Sequence, residues 1–264
     1  MIADPSLNGR LACLTSYACQ YDPRFSYFVY VPSSFGRPEQ PENYGLVILV
    51  HGAERGAETY RNKFRGFARR HDCVVLAPLF PAGLFEPDSL DNYNFLRYRD
   101  IAYDAVLLKM VEEAARRFPI RAERFLLHGF SGGGQFVHRF LYLYPQRLAA
   151  ISIGAPGEIT LPREDLDWPA GLRGLRDIRG ERPDLRAVGE VPVQIVVGDQ
   201  DQAPRLSNYD QAANRQERAR LLADSLTGLN CKVQLDFFPG AGHDGFKILP
   251  AVEEYLGARA ERLK

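Results

Sequence analysis

His128-Gly129-Phe130-Ser131-Gly132-Gly133-Gly134 lies between a short apolar run, Phe125-Leu126-Leu127, and a segment from Gln135 to Tyr144 whose apolar residues recur at helical spacing. A G-x-S-x-G core in that setting reads as a strand reversing sharply into a helix. The flanking glycines permit the turn, which holds Ser131 with its hydroxyl exposed, a nucleophile elbow. In a chain with 23 glycines the pattern alone also fits an ordinary glycine-rich turn. The rest of the sequence strengthens the elbow reading, because an aspartate and a histidine follow in the order Ser, Asp, His, each just after an apparent strand.

Working outward, strands are expected at 25–31, 46–51, 74–77, 125–128, 149–153, 193–197 and 232–238. Several are short, continuously apolar and rich in valine and isoleucine, as in strands covered on both faces. Between them Ile101, Ala105, Leu108, Val111, Ala115 and Phe118 form a helical stripe ended by Pro119, and Ala219, Leu222, Leu226 and Leu229 form another. Alternating strands and helices predict an α/β chain with a mainly parallel, doubly wound sheet and helices on both faces. The 264 residues suit one domain, 1–264, with 157–189 as a small cap inserted in it. Its arginines (Arg173, Arg176, Arg179, Arg182, Arg186) interleave with Asp177, Glu181 and Asp184, which favours a solvated, salt-bridged surface over an anion-binding one.

Composition narrows the partners. The 33 basic and 33 acidic residues cancel, leaving no global field for nucleic acid or an anionic membrane surface. No run reaches membrane-spanning length, and the amino terminus has no signal-like pattern. Cys13, Cys19, Cys73 and Cys231 lack metal-ligand spacing, so reduced thiols in a cytoplasmic protein are expected, with a Cys13–Cys19 bridge as the alternative. The expected partner is a small molecule.

Serine needs a base to take its proton, and histidine has the intrinsic pKa for that. His138 lies on the helix after the serine, roughly 10 Å along its axis, too far for a hydrogen bond. His51, His71 and His128 sit at strand or helix positions. His243, in Pro239-Gly240-Ala241-Gly242-His243-Asp244-Gly245, has a flexible loop after the last strand and is the expected base. The acid follows 193–197 in Gly198-Asp199-Gln200-Asp201. Asp201, already in the loop, is preferred, with Asp199 a competitor and Glu158 a third candidate. For an oxyanion, the Gly132 amide at a helix start and the Ala53 amide in His51-Gly52-Ala53-Glu54 are expected donors. The long connection 79–98 should wall the pocket. Phe130, Tyr93 and Trp168 are the candidate substrate contacts.

Asp100-Ile101-Ala102-Tyr103-Asp104, Phe118-Pro119-Ile120, Glu123-Arg124-Phe125, the elbow, Tyr144-Pro145-Gln146-Arg147-Leu148-Ala149-Ala150 and Gly154-Ala155-Pro156-Gly157 together carry a family likeness. The chain resembles the α/β-hydrolase superfamily along nearly its whole length, and within it the polyhydroxybutyrate depolymerase and feruloyl esterase branch. Members of that branch often carry serine or threonine and then tryptophan after the histidine, where this chain reads Asp244-Gly245. The resemblance implies a serine carboxylic-ester hydrolase that uses no metal or organic cofactor. Hydrolysis of an amide, peptide or thioester by the same residues is the alternative within enzymes. A ligand-binding protein with a decayed site is the alternative outside them.

Overall fold

In the computed structural model the described residues are 14–35, 43–176, 180, 182–202 and 212–263. Strands β1 (Thr15–Ala18), β2 (Ser26–Tyr30), β3 (Gly45–Val50) and β4 (Cys73–Leu79) are followed by a small hairpin, β5 (Arg97–Tyr98) with β6 (Ile101–Ala102). Then come β7 (Phe125–Phe130), β8 (Leu148–Gly154), β9 (Val193–Gly198) and β10 (Val233–Phe238). Among the described residues the main sheet has eight strands in the order β1-β2-β4-β3-β7-β8-β9-β10. From β4 to β10 every neighbouring pair is parallel, while β2 runs antiparallel to β4 and to β1.

Every residue of β3, β7, β8 and β9 is buried, which is why these strands read as unbroken apolar runs. The helices are α1 (Ala57–Lys63), α2 (Arg65–His71), α3 (Tyr103–Arg117), α4 (Gly132–Leu143), α5 (Leu185–Gly189), α6 (Arg215–Thr227) and α7 (Leu249–Gly257). Helix α4 packs on β7 and β8, α6 on β9 and β10, α7 on β8 and β9, and α1 on β2 and β4. This is the expected doubly wound α/β arrangement, and the fold is that of the α/β-hydrolases. Among the described residues no helix is long and apolar enough to cross a membrane.

The differences from the sequence reading have local causes. Strand β1 shows no apolar alternation and was not expected. Its loop to β2 is tied to α3 through Glu113, whose carboxylate accepts from the Gln20 and Tyr21 amides at 2.8 and 3.2 Å. On α3 the buried face is Tyr103, Val106, Leu107, Met110, Val111 and Ala114. Of the expected stripe Ile101, Val111 and Phe118 are buried, while Ala105, Leu108 and Ala115 are half-buried, so the core-facing side is rotated toward Val106, Leu107 and Met110. Cys19, Cys73 and Cys231 are free and buried, and Cys13 lies outside the described residues.

The stretch 157–189 carries the exposed ion pairs Arg163–Asp165 and Arg173–Asp167; of the described residues in the expected charge pattern only Arg173 takes part, and Asp184 instead accepts the Ala187 amide at the start of α5. Asp177, Arg179 and Glu181 lie outside the described residues.

Three histidines are wholly buried and pushed down from 6.5 by desolvation, His51 and His128 to about 4 and His138 to about 3. His51 and His138 are each bonded as a neutral ring, with Nε2 accepting a backbone amide. His138, for example, donates from Nδ1 to the Gly134 carbonyl at 2.9 Å and accepts the Thr160 amide at Nε2. The unfolded chain therefore binds more protons than the folded one between about pH 4 and 6.5. Their contribution is intact above pH 6.5 and is lost as pH falls toward the folded values, by about 2 kcal/mol each at pH 5. Urea titrations should show a markedly lower midpoint at pH 5 than at pH 7. An unchanged midpoint would contradict the neutral-ring assignment.

Candidate active site

Four loops leave the carboxyl ends of β3, β7, β9 and β10 and meet at one rim of the sheet, the place where open α/β sheets bind ligands. The tightest is between β7 and α4. There Ser131 takes φ 56° and ψ −114°, a conformation rare for a residue with a side chain. Its amide donates to the Gly154 carbonyl at 2.8 Å, and its carbonyl accepts the Gln135 amide at 3.0 Å. The glycines that follow serve packing. A Cβ on Gly133 would strike the carbonyl oxygens of Val50 and His51, and one on Gly134 would strike that of Gly154. Only glycine lets the start of α4 lie this close to β3 and β8.

The loops after β9 and β10 are zipped together by backbone bonds, Asp199 N–H to Phe238 and Gln200 N–H to Ala241, at 3.0 and 2.9 Å. A further bond from the Asp201 amide to the Gly198 carbonyl, 3.0 Å, curls the first loop inward. As a result Asp201 Oδ2 lies 2.6 Å from His243 Nδ1, and His243 Nε2 lies 3.0 Å from Ser131 Oγ. With a carboxylate as its partner, Nδ1 carries the proton, and Nε2 is free to accept from the hydroxyl. Asp201 is buried at 3% exposure, whereas Asp199 is exposed. Among the described residues neither Asp199 nor Glu158 bonds to the imidazole. The Phe130 ring packs 4.6 Å from the imidazole centroid and holds its face.

Sequence reasoning missed Arg215. Its Nη1 lies 2.7 Å from His243 Nδ1 and 3.5 Å from Asp201 Oδ2, so the guanidinium covers the carboxylate–imidazole pair. Burial lowers its pKa and Asp201 opposes that shift. The residue opens α6, which was read only for its apolar stripe.

The Gly132 N–H, at the first position of α4, has no intrahelical acceptor and adds to the positive end of the helix dipole. Among the described residues the Ala53 N–H likewise donates to no other group. The Ala53 loop is shaped from behind. His51 Nδ1 donates to the Gly52 carbonyl at 2.7 Å, and Arg55 donates to the Ala53 carbonyl at 2.6 Å.

A cavity of about 480 Å³ opens beside Ser131 and His243. The Ala53 loop, Tyr60 of α1, Phe130 and residues 243–246 line it. Two expected substrate contacts are not there. Tyr93 is buried, and its hydroxyl donates to the His51 carbonyl at 2.9 Å and packs against the Cα of Gly132, bracing two loops from inside. Trp168 sits with Arg139, whose guanidinium lies 5.9 Å from its ring. Nor does 79–98 wall the cavity. Phe80 and Tyr93 turn into the core against Phe136, because the interior offers these rings more apolar surface than the rim does. Tyr60 and Phe246, which do line the cavity, were not foreseen. Among the described residues no cluster of histidine, cysteine or carboxylate side chains is arranged to hold a metal ion.

A hydroxyl, an imidazole and a buried carboxylate in series, with two unengaged amides beside the hydroxyl, are the elements of acyl transfer through a covalent intermediate.

No protein-family model matches the chain, and no curated protein matches it. Solved structures do. The poly(3-hydroxybutyrate) depolymerase of Bordetella parapertussis superposes with a TM-score of 0.74 at 25% identity, covering 98% of this chain and 96% of that one. Poly(aspartic acid) hydrolase-1 of Sphingomonas sp. KT-1 gives 0.71 at 23% identity over 87% and 92% of the two chains. An S-formylglutathione hydrolase of Agrobacterium tumefaciens gives 0.67 at 20% identity, covering 95% of each. These likenesses and the strand order agree: the chain has the α/β-hydrolase fold.

Proposed function

We propose that this protein is a serine hydrolase that cleaves carboxylic esters of small molecules through an acyl-enzyme. The reading is carried by the single imidazole that reaches both the Asp201 carboxylate, at 2.6 Å, and the Ser131 hydroxyl, at 3.0 Å. It is supported by the likeness to a depolymerase and to hydrolases of the same fold. His243 takes the Ser131 proton as Oγ attacks the ester carbonyl, and Asp201 stabilises the imidazolium without being protonated. The amides of Ala53 and Gly132 hold the oxyanion of the tetrahedral intermediate. Collapse releases the alcohol, which takes its proton from His243. Water then enters, gives a proton to His243, and frees the acid from Ser131. Each proton that leaves a reacting oxygen passes through Nε2.

The test is a panel of p-nitrophenyl esters of graded acyl length beside the matched thioester and p-nitroanilide. The expected result is turnover of the esters with higher kcat/KM than the anilides. Turnover confined to the anilides would replace ester with amide hydrolysis, and no turnover of any would sink the proposal.

A further inference from the structure

The cavity beside Ser131 has an uneven chemistry. Among its lining residues are two carboxylates, Glu54 and Asp244, and three aromatic rings, Tyr60, Phe130 and Phe246, with no lysine or arginine. Among the described residues the Glu54 carboxylate makes no hydrogen bond or ion pair. Asp244 uses Oδ1 to accept the amides of Phe246 and Lys247, at 2.9 and 3.1 Å, which fixes the group and leaves Oδ2 unengaged. Tyr60 is 3% exposed, and its hydroxyl has no partner among the described residues although it borders the cavity. Burial raises the pKa of that phenol, and the negative charges of Glu54 and Asp244 raise it further, so both carboxylates act on one spot.

The neighbouring cations are committed elsewhere. Arg55 is bonded to the carbonyls of Phe80, Ala53 and Leu90. Lys247 Nζ donates to the Gly240 carbonyl. Lys63 Nζ is engaged on the Phe246 ring, 5.2 Å from its centroid.

We propose that this site prefers esters bearing a cationic substituent, an alkylammonium seated between Glu54, Asp244 and Tyr60 while the ester carbonyl meets Ser131. The inference rests on the ester-hydrolase reading and adds the charge class of the substrate. Unpaired carboxylates over aromatic walls attract a cation through both charge and ring quadrupole, leave a neutral chain indifferent and repel an anion. The Tyr60 hydroxyl adds an oxygen that can accept from an ammonium N–H. The same charges disfavour a polyanionic chain of the kind named for the Sphingomonas hydrolase, despite the shared fold.

Three p-nitrophenyl esters test this at neutral pH: that of γ-(trimethylammonio)butyric acid, its isostere with carbon in place of nitrogen, and the half-ester of glutaric acid. Each kcat/KM is divided by the second-order rate constant for hydroxide hydrolysis, measured at a pH where that reaction dominates over attack by the glutarate's own carboxylate, to remove differences in intrinsic reactivity. The cationic ester should exceed its neutral isostere by roughly tenfold, the glutarate should fall below it, and added salt should shrink the gap. Glu54→Gln and Asp244→Asn should each lower the cation-to-isostere ratio, which is taken within one variant so that any general loss cancels. A ratio at or below one in the unmodified protein, or a ratio untouched by both substitutions, overturns the proposal while neutral-ester turnover leaves the hydrolase reading standing. Absence of turnover on all three esters overturns both.

Discussion

Ser131→Ala should reduce kcat for any accepted ester by roughly a million-fold while leaving the protein folded. The chemical loss is large because the reaction has no other nucleophile at hand. Water would have to enter the position of Oγ without the alignment that His243 imposes, and the two backbone donors alone sustain only a residual rate. The structural change is small. Among the described residues the hydroxyl bonds only to His243, and alanine meets the same backbone geometry as serine. A fluorophosphonate offers a direct count. Intact mass should rise by one phosphonyl group on the unmodified chain and not at all on the variant. Labelling that persists in Ser131→Ala, or turnover within tenfold of the parent, would remove this residue from the mechanism.

The second large effect separates two carboxylates that lie two residues apart. Asp201→Asn should lower kcat by roughly ten-thousand-fold, because a side-chain amide turned toward Nδ1 stabilises the wrong tautomer and no longer supports the imidazolium. Asp199→Asn should leave turnover unchanged, since that side chain is exposed and makes no bond to the ring. Asp201 also neutralises the buried Arg215 guanidinium 3.5 Å away, so its loss should lower thermal stability as well. Turnover must therefore be read on samples shown by circular dichroism to be folded. Equal losses in the two variants, or a greater one in Asp199→Asn, would reverse the assignment.

The parts of this molecule legible in the sequence share one property: they follow strands. Ser131, Asp201 and the Ala53 amide come after β7, β9 and β3, whose burial on both faces leaves an unbroken apolar pattern, and His243 comes after the half-buried edge strand β10. In a parallel sheet those strand ends must gather at one rim. The choice between Asp199 and Asp201 was not legible, because it depends on a turn closed by the Asp201 amide and the Gly198 carbonyl, and on backbone bonds to the next loop. Phe130 lines the cavity as expected, while the positions of Tyr93 and Trp168 were hidden for a related reason. A tyrosine or tryptophan on an irregular connection has no periodicity to show whether it faces core or solvent. Tyr93 found a partner in the His51 carbonyl, and Trp168 found one in Arg139. The residues that do border the cavity, Tyr60 and Phe246, sit in short polar or irregular segments that resemble surface. Arg215 was hidden for a further reason, since an arginine at the start of a polar helix normally reaches solvent.

The torsion angles of residue 131 set reactivity against heat tolerance. A side chain held at φ 56° and ψ −114° costs about 1–3 kcal/mol, which the surrounding scaffold must absorb. Glycine adopts that geometry freely and would relax the turn, yet it would delete the attacking oxygen. The proposed nucleophile is thus mounted on a strained hinge, and efforts to harden this protein should leave that residue as it is.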